Sequence, residues 1–483
     1  MSGQRDWGAE LAAAGLSWDV WSGLTLWGRA GALPELAEQL AAVGGCARPV
    51  RLAGTVRSFS TATGELVGEY DTGSGRVGGL LVACGSRHAS VCPSCAHRWR
   101  GDTWWLAFAG LVGGKGRAAG VRSHPRVFLT LTAPSFGAVH SRRLRSDGRA
   151  VACRARRGWP VCEHGEPAWC GVRHPEADPV VGAPLCVACY DWPGLVLWNS
   201  HAGALWNRWS VQTGREIGRL SDRPAAAVRA AVKVESTRVA EMQARGAVHL
   251  HAIVRADSGS DPDAPPPEWV TPELLAAAVV GAARRVAVEI DVPGVGGWVL
   301  RFGDQVEAHP IPAGADDAEE RRLASYLAKY VTKDIAPGLE RPVGAPGEIG
   351  LLRVPGHVRA LVGVAWRLGG LPELAGWKLR RRAHQYGYRG PVATRSRGYS
   401  ATLAALHTAR MDYRREQAAR VGADRLAPNG VPEQTVSIPA LRLSRTGLDA
   451  AGRWLAEQTR ADRETARRLG REEAEIIEGP DAA

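Results

Sequence analysis

Hydrophobic and polar positions alternate through "RVFLTLTA" (126–133), with Val127, Leu129 and Leu131 on one side and Phe128, Thr130 and Thr132 on the other. A period of two residues predicts a strand. The same period runs through "AAVKVESTRVAEMQARGAVHLHAIVRAD" (230–257) and breaks at "ARG", so two strands around a turn are expected, with Gly246 supplying the permissive backbone. Between these stretches, "GLVLWNSHAGALWNRWSVQTGREIGRL" (194–220) has a helical period that places Trp206 and Trp209 in a core. A helix over about 271–286, a strand around "GWVLRFGDQVEAHPI" and a helix from "DDAEERRLASYLAKYVTKDI" follow. Residues 1–80 mix a Trp-bearing helical pattern with a glycine-rich strand-like stretch and carry no motif. "SGSDPDAPPPEW" reads as a linker, "APGLERPVGAPGEIG" as a boundary, and the remainder as helical and basic.

At 483 residues the chain is too long for one ordinary core, and 45% hydrophobic with 23% charged residues suits two or three globular domains. The net charge of +12 favours a polyanionic partner, because each phosphate neutralised releases condensed counterions. Arginine supplies nearly all of that charge, with only five lysines in the chain: Lys115, Lys233, Lys329, Lys333 and Lys378. No apolar run of about 20 residues is present to span a bilayer, and the acidic, polar start lacks the form of a signal peptide, so a cytoplasmic location is expected. The absence of a G-x-x-x-x-G-K-[ST] loop excludes a P-loop motor.

Nine cysteines in a reducing compartment point to metal rather than disulfides. Cys46 stands alone and reads as a buried or inert thiol. The other eight form two groups, Cys84, Cys92 and Cys95, then Cys153, Cys162, Cys170, Cys186 and Cys189. Each group contains a C-x-x-C turn, which brings two thiolates to one tetrahedral zinc. Structural zinc is therefore expected on Cys84, Cys92, Cys95, Cys162, Cys170, Cys186 and Cys189. One site drawing on both turns is possible, and His88, His97, His164 and His174 lie near enough in sequence to replace some cysteines.

In "VHLH" the residues i and i+2 share a strand face, so His249 and His251 present two imidazoles together, and a turn about Arg245 puts Glu241 opposite His249. Two imidazoles and a carboxylate suit Mg²⁺ or Mn²⁺ with open positions, and imidazole also accepts zinc. In "ASYLAKYVTKD" (324–334), Tyr326 and Tyr330 stand one helical turn apart, as do Lys329 and Lys333 on a neighbouring face. Two of five lysines in so arginine-rich a chain mark this helix, since a compact ammonium suits a place beside a reacting oxygen.

"FLTLTA", "VHLHAIV" and "YLAKYVTK", in that order, resemble the three motifs of HUH endonucleases, specifically rolling-circle replication initiators with a paired tyrosine, of the kind found on actinobacterial plasmids and integrative conjugative elements. "PLCVACYDWPGLVLWNSHAGALW" and "AHQYGYRG" are in the same style, and the likeness covers roughly residues 84–400. It implies an α+β fold with a five-stranded antiparallel sheet flanked by helices, the histidines on a central strand and the tyrosines on a helix above it. The implied organisation is an N-terminal region (1–80), a cysteine-rich zinc-binding region (81–120 and 140–190), a nicking core (121–340, interrupted by 140–190) and a basic helical C-terminal region (341–483). The implied chemistry uses a catalytic Mg²⁺ or Mn²⁺ at His249, His251 and Glu241. Tyr326 or Tyr330 attacks a phosphate of single-stranded origin DNA, with Lys329 and Lys333 assisting, which leaves a 5′-phosphotyrosine and a 3′-OH primer. Host helicase and DNA polymerase are the implied partners, and the arginine-rich "WKLRRRAHQYGYRG" and the zinc region are candidates for origin binding. An HUH transposase or conjugative relaxase would share this site, and a non-enzymatic zinc-containing DNA-binding regulator would explain the charge and cysteines while leaving the tyrosines idle.

Overall fold

The computed structural model describes residues 15–61, 63–154, 161–293, 296–313, 317–333, 339, 341–420 and 435–478. The chain divides into two compact units, residues 100–406 and a second made of 1–99 with 407–483, and the division falls within the helix Pro93–Val112. Among the described residues no helix is long and apolar enough to cross a membrane.

The unit 100–406 is built on a five-stranded antiparallel sheet whose strands are β1 (Arg126–Leu131), β2 (Val232–Met242), β3 (Val248–Ser258), β4 (Val306–Ile311) and β5 (Ala393–Arg395). Their order is β4-β1-β3-β2-β5, so β3 is central. The alternation of the sequence sorts β1 and β3 into two faces. Val127, Leu129, Leu131, Leu250, Ala252 and Val254 enter the main core, which helices α1 (Trp192–Leu220), α2 (Pro272–Arg285) and α3 (Gly356–Leu368) complete. Asp191 caps α1 by accepting from the Gly194 amide at 2.8 Å, and Thr271 caps α2 by accepting from Leu274 at 3.1 Å. Trp206 and Trp209 are buried in that core, as their helical spacing predicts. The region expected as one strand around "GWVLRFGDQVEAHPI" is two: Gly296–Leu300 pairs with Val288–Val292 in a separate ribbon, and only β4 joins the main sheet.

The opposite face carries His249, His251, Ile253 and Arg255, and the helix α4 (Asp317–Val331) packs on it. Its buried residues, Glu320, Ala324, Leu327, Ala328 and Val331, repeat at helical spacing along one stripe. Charge rather than apolar area fixes its position at one end. Arg126 and Glu320 are both fully buried and pair at 2.6 Å, and Arg122 reaches the other Glu320 oxygen at 2.9 Å. Arg126 also donates to the carbonyls of Leu111 (2.8 Å) and Pro312 (3.0 Å). Its cross-strand neighbour Arg255 holds Asp257 through two bonds of 2.6 and 2.8 Å and donates to the Gly110 and Gly398 carbonyls. Ions in a dry interior persist only when paired and hydrogen-bonded, so these arginines define where the helices meet the sheet.

In the other unit, Val50–Ser60 pairs with Leu66–Asp71, with Leu80–Val82 and, across almost the whole chain length, with Thr435–Thr446. The C-terminal region expected to be helical therefore contributes strands as well as helices, since β5 also lies beyond residue 341. Helices Trp18–Arg29, Leu33–Ala42 and Ala450–Glu478 accompany this second sheet.

Removing one partner of a buried pair leaves an uncompensated charge, so Glu320→Ala is expected to destabilise the protein by about 3–5 kcal/mol. Chemical denaturation should read that loss, while Glu307→Ala, at an exposed pair with His309, should be near neutral. Equal stability of the two variants would contradict the role given to Arg126.

Candidate functional site

The hairpin β2–β3 sets the two histidines. Its register places Glu241 opposite His249, and Thr130 of β1 opposite His251, so all four side chains share one face. The turn closes where Gly246 donates to the Gln243 carbonyl at 2.8 Å and Gln243 to the Ala247 carbonyl at 2.9 Å. Gly246 has φ +80, and a Cβ there would come within 2.3 Å of Leu361 Cδ1. Buried Asn199 of α1 clamps this turn, donating to the Gly246 carbonyl (2.8 Å) and accepting from the Val248 amide (3.0 Å).

Thr130 Oγ1 lies 3.3 Å from His251 Nδ1, and Thr132 Oγ1 lies 3.4 Å from His249 Nδ1. A hydroxyl at each Nδ1 leaves each Nε2 as the nitrogen for a ligand. Burial and the neighbouring His251 push the His249 imidazole down to about 4, so it is neutral at neutral pH, the form that binds metals. His251 Nε2 stands 3.4 Å from Glu241 Oε2, and Lys333 Nζ 2.5 Å from Glu241 Oε1. Burial opposes ionisation of Glu241, but the bonds from His251 and Lys333 outweigh it and hold the carboxyl below its ordinary value. His249, His251 and Glu241 are not among the described groups whose ligand atoms all lie within 4.8 Å of one another, as the cysteine groups described below are.

Helix α4 lays both tyrosines over this face. The rings of Tyr326 and Tyr330 are each 5.1 Å from that of His251, edge-on and stacked respectively, and 4.9 Å from each other. Tyr326 is 39% exposed and also meets Phe128 edge-on at 5.5 Å, whereas Tyr330 is half-buried. Burial, a bond with Tyr326 and the Glu241 charge raise the Tyr330 phenol above its ordinary value. The ammonium groups of Lys329 and Lys333 lie 6.0 and 5.5 Å from the Tyr330 ring centre. The structure thus brings His249, His251, Glu241, Tyr326, Tyr330 and Lys333 into one constellation, with Lys329 at its rim. Two imidazoles and a carboxylate beside two phenols can hold a divalent cation with oxygen nucleophiles next to it.

The family described as RepSA, replication initiator protein of pSAM2, matches residues 32–461. The chain belongs to that family. A replication initiator protein of Streptomyces ambofaciens is 40% identical over 390 residues, covering 79% of this chain and 80% of the relative. No solved structure matches.

The cysteines of this initiator fall into three groups, each with its ligand atoms within 4.8 Å of one another. Cys46, Cys84, Cys92 and Cys95 form the first. Cys46 is therefore not an isolated inert thiol: its sulfur is 3.8 Å from both Cys92 and Cys95, and it accepts from the Cys84 amide at 3.3 Å. Its distance along the chain hid the partnership. Cys162, His164, Cys186 and Cys189 form the second group, and Cys170 joins Cys153, His140 and His174 in the third. The two C-x-x-C turns serve separate groups in different units, which overturns the single site drawing on both. His164 and His174 are in the groups, while His88 and His97 are not; His140 was not among the expected ligands. Each group can hold a zinc ion.

Of the basic segment "WKLRRRAHQYGYRG", Tyr386 and Tyr388 are core residues, and Arg381 and Arg389 are exposed. These two tyrosines are thus unavailable for stacking on a partner, whereas Trp377 is only partly buried.

Gly246→Ala forces a Cβ into a left-handed conformation against Leu361, so a loss of at least about 1–2 kcal/mol is expected. Thermal unfolding should show the loss. A variant as stable as the parent would contradict the tight turn that registers His249 with Glu241.

Proposed function

We propose that this replication initiator nicks single-stranded origin DNA by tyrosine attack within an HUH-type site, starting rolling-circle replication. The observation that carries the reading is the placement of both Tyr326 and Tyr330 against His251 on the central strand, with Glu241 and Lys333 beside them. A structural zinc protein that only binds DNA would have no use for two phenols set against an H-x-H pair. Membership in a family of replication initiators also favours this reading over a transposase or relaxase.

His249, His251 and Glu241 would hold Mg²⁺ or Mn²⁺, which supplies Lewis-acid polarisation of the scissile phosphate. The hydroxyls of Thr130 and Thr132 keep both imidazoles turned to that position. One tyrosine oxygen attacks phosphorus, the bond to the 3′-oxygen breaks, and the protein is left joined to the 5′-phosphate while the 3′-OH primes synthesis. The second tyrosine, one helical turn away, accepts the strand after a round of copying and releases a circle. Lys333 bridges helix and hairpin through Glu241, and Lys329 adds positive charge near the strand's phosphates. A host polymerase extends the primer and, since the chain has no P-loop, a host helicase opens the duplex.

On origin-derived single-stranded DNA with Mn²⁺, His249→Ala and His251→Ala are expected to abolish nicking while largely retaining DNA binding, and omission of Mn²⁺ and Mg²⁺ without a chelator should do the same to the parent protein. Tyr326→Phe and Tyr330→Phe should each leave some covalent adduct and the double substitution none, because phenylalanine has no oxygen to attack with. Denaturing gels score both. Cleavage that persists in the double variant would sink the mechanism.

A further inference from the structure

The second and third metal-binding groups lie together in the segment that links β1 to α1, and their order along the chain is informative. His140 and Cys153 come first, then Cys162 and His164, then Cys170 and His174, then Cys186 and Cys189. The first and third pairs converge on one point, the second and fourth on another. Ligand pairs that alternate in this way cross-brace a chain, since each ion closes a loop containing ligands of the other. We propose that residues 140–189 form a cross-braced module holding two zinc ions, one of them at a distinct His140, Cys153, Cys170, His174 site, so that the whole chain carries three.

Three features of the His140 group point to an ion. Zinc bonds of about 2.3 Å to sulfur and 2.0–2.1 Å to nitrogen at the tetrahedral angle put those atoms about 3.5 Å apart, and Cys170 Sγ is 3.5 Å from His174 Nε2. Asp178 holds the other nitrogen of that ring, Nδ1, at 2.8 Å, the arrangement in which a carboxylate orients a metal-binding imidazole. His140 Nδ1 is buried and makes no hydrogen bond, a cost that a metal bond removes. The first group gives an internal comparison. Its Cys84–Cys95, Cys46–Cys92 and Cys46–Cys95 sulfurs stand 3.7–3.8 Å apart, the spacing expected of thiolates around one zinc.

The module also lacks another means of support. Among its described residues the regular structure is two strands of two residues, Arg143–Leu144 and Ala150–Val151, with isolated bridges such as Arg154 to Cys170 and Val161 to Pro167. Phe136 and Tyr190 anchor its two ends in the main core. A segment of this length without a core of its own requires disulfides or metal, and all nine cysteines are free. The folded module then braces the catalytic hairpin: His140 pairs through its backbone with Gly182 and Ala183, and a Cβ on Gly182 would meet Ala244 O at 2.3 Å. Arg245, next along that turn, donates to the carbonyls of Ala133 and Pro134, where the segment begins.

Metal analysis of the purified full chain, kept reduced, tests the count without reference to cleavage, so it can fail independently of the nicking mechanism. Three zinc ions per chain are expected, and cadmium exchanged into the unaltered protein should give three NMR resonances, with shifts characteristic of four, three and two sulfur ligands. In variants, His140→Ala should release at least one ion, His140→Cys should retain all three, and Cys46→Ser should release only the ion of its own group. Two ions or fewer in the parent protein, no two-sulfur cadmium resonance, or a disulfide between Cys153 and Cys170 in peptide maps would overturn the proposal.

Discussion

Two arginines side by side in the sheet, Arg126 and Arg255, hold together the face that carries the two histidines. Each is wholly buried, each is paired with a buried carboxylate, and each donates to backbone carbonyls just outside the strands, those of Leu111 and Pro312 for Arg126 and those of Gly110 and Gly398 for Arg255. A guanidinium presents its donors in a rigid fork, so these bonds specify orientation as well as proximity. Through Glu320 the first arginine fixes helix α4. Between one and three turns further along, that helix carries Tyr326 and Tyr330, and their distance from His251 is set by the ionic anchor together with the buried stripe of Ala324, Leu327 and Ala328.

The same face changes character along its length. At one end of β1 and β3 the facing residues are Arg126 and Arg255, in the middle Phe128 and Ile253, and at the other end Thr130, Thr132, His251 and His249. A dry ionic anchor, an apolar bridge and a polar, partly open site thus follow one another within one pair of strands. The hairpin turn beyond the histidines is held from three directions, by Asn199 of α1, by Leu361 of α3 against Gly246, and by the cysteine-bearing segment through Arg245. Pre-organisation of this kind is what a site needs when its ligands must hold a metal at fixed geometry.

The strands, the hairpin and the long core helix were legible in the sequence because their periodicity is local; H-x-H and Y-x-x-K-Y spacings put the histidines on one strand face and the tyrosines on one helix face, while the meeting of the two faces was implied only by the resemblance to HUH endonucleases. The pairing of Glu241 with His249 followed from where the turn lies. Long-range partners were not legible. Nothing near Cys46 announces Cys84, Cys92 and Cys95, and His140 reads as an ordinary histidine until the fold sets it against Cys170 and His174. The pairing of Val50–Ser60 with Thr435–Thr446 has no local signal either, so the C-terminal region read as helical throughout. Arg126 and Glu320 looked like members of an abundant surface population, and only burial reveals their role.

The account rests on a phenol oxygen of α4 as the atom that takes up DNA. The most direct test is to trap the covalent complex formed on a single-stranded origin oligonucleotide, digest away the nucleic acid and protein, and locate the residual nucleotide by tandem mass spectrometry. The account predicts a phosphotyrosyl nucleotide on the peptide containing Tyr326 and Tyr330. Attachment at any other residue, or strand cleavage with no covalent species at all, would contradict it.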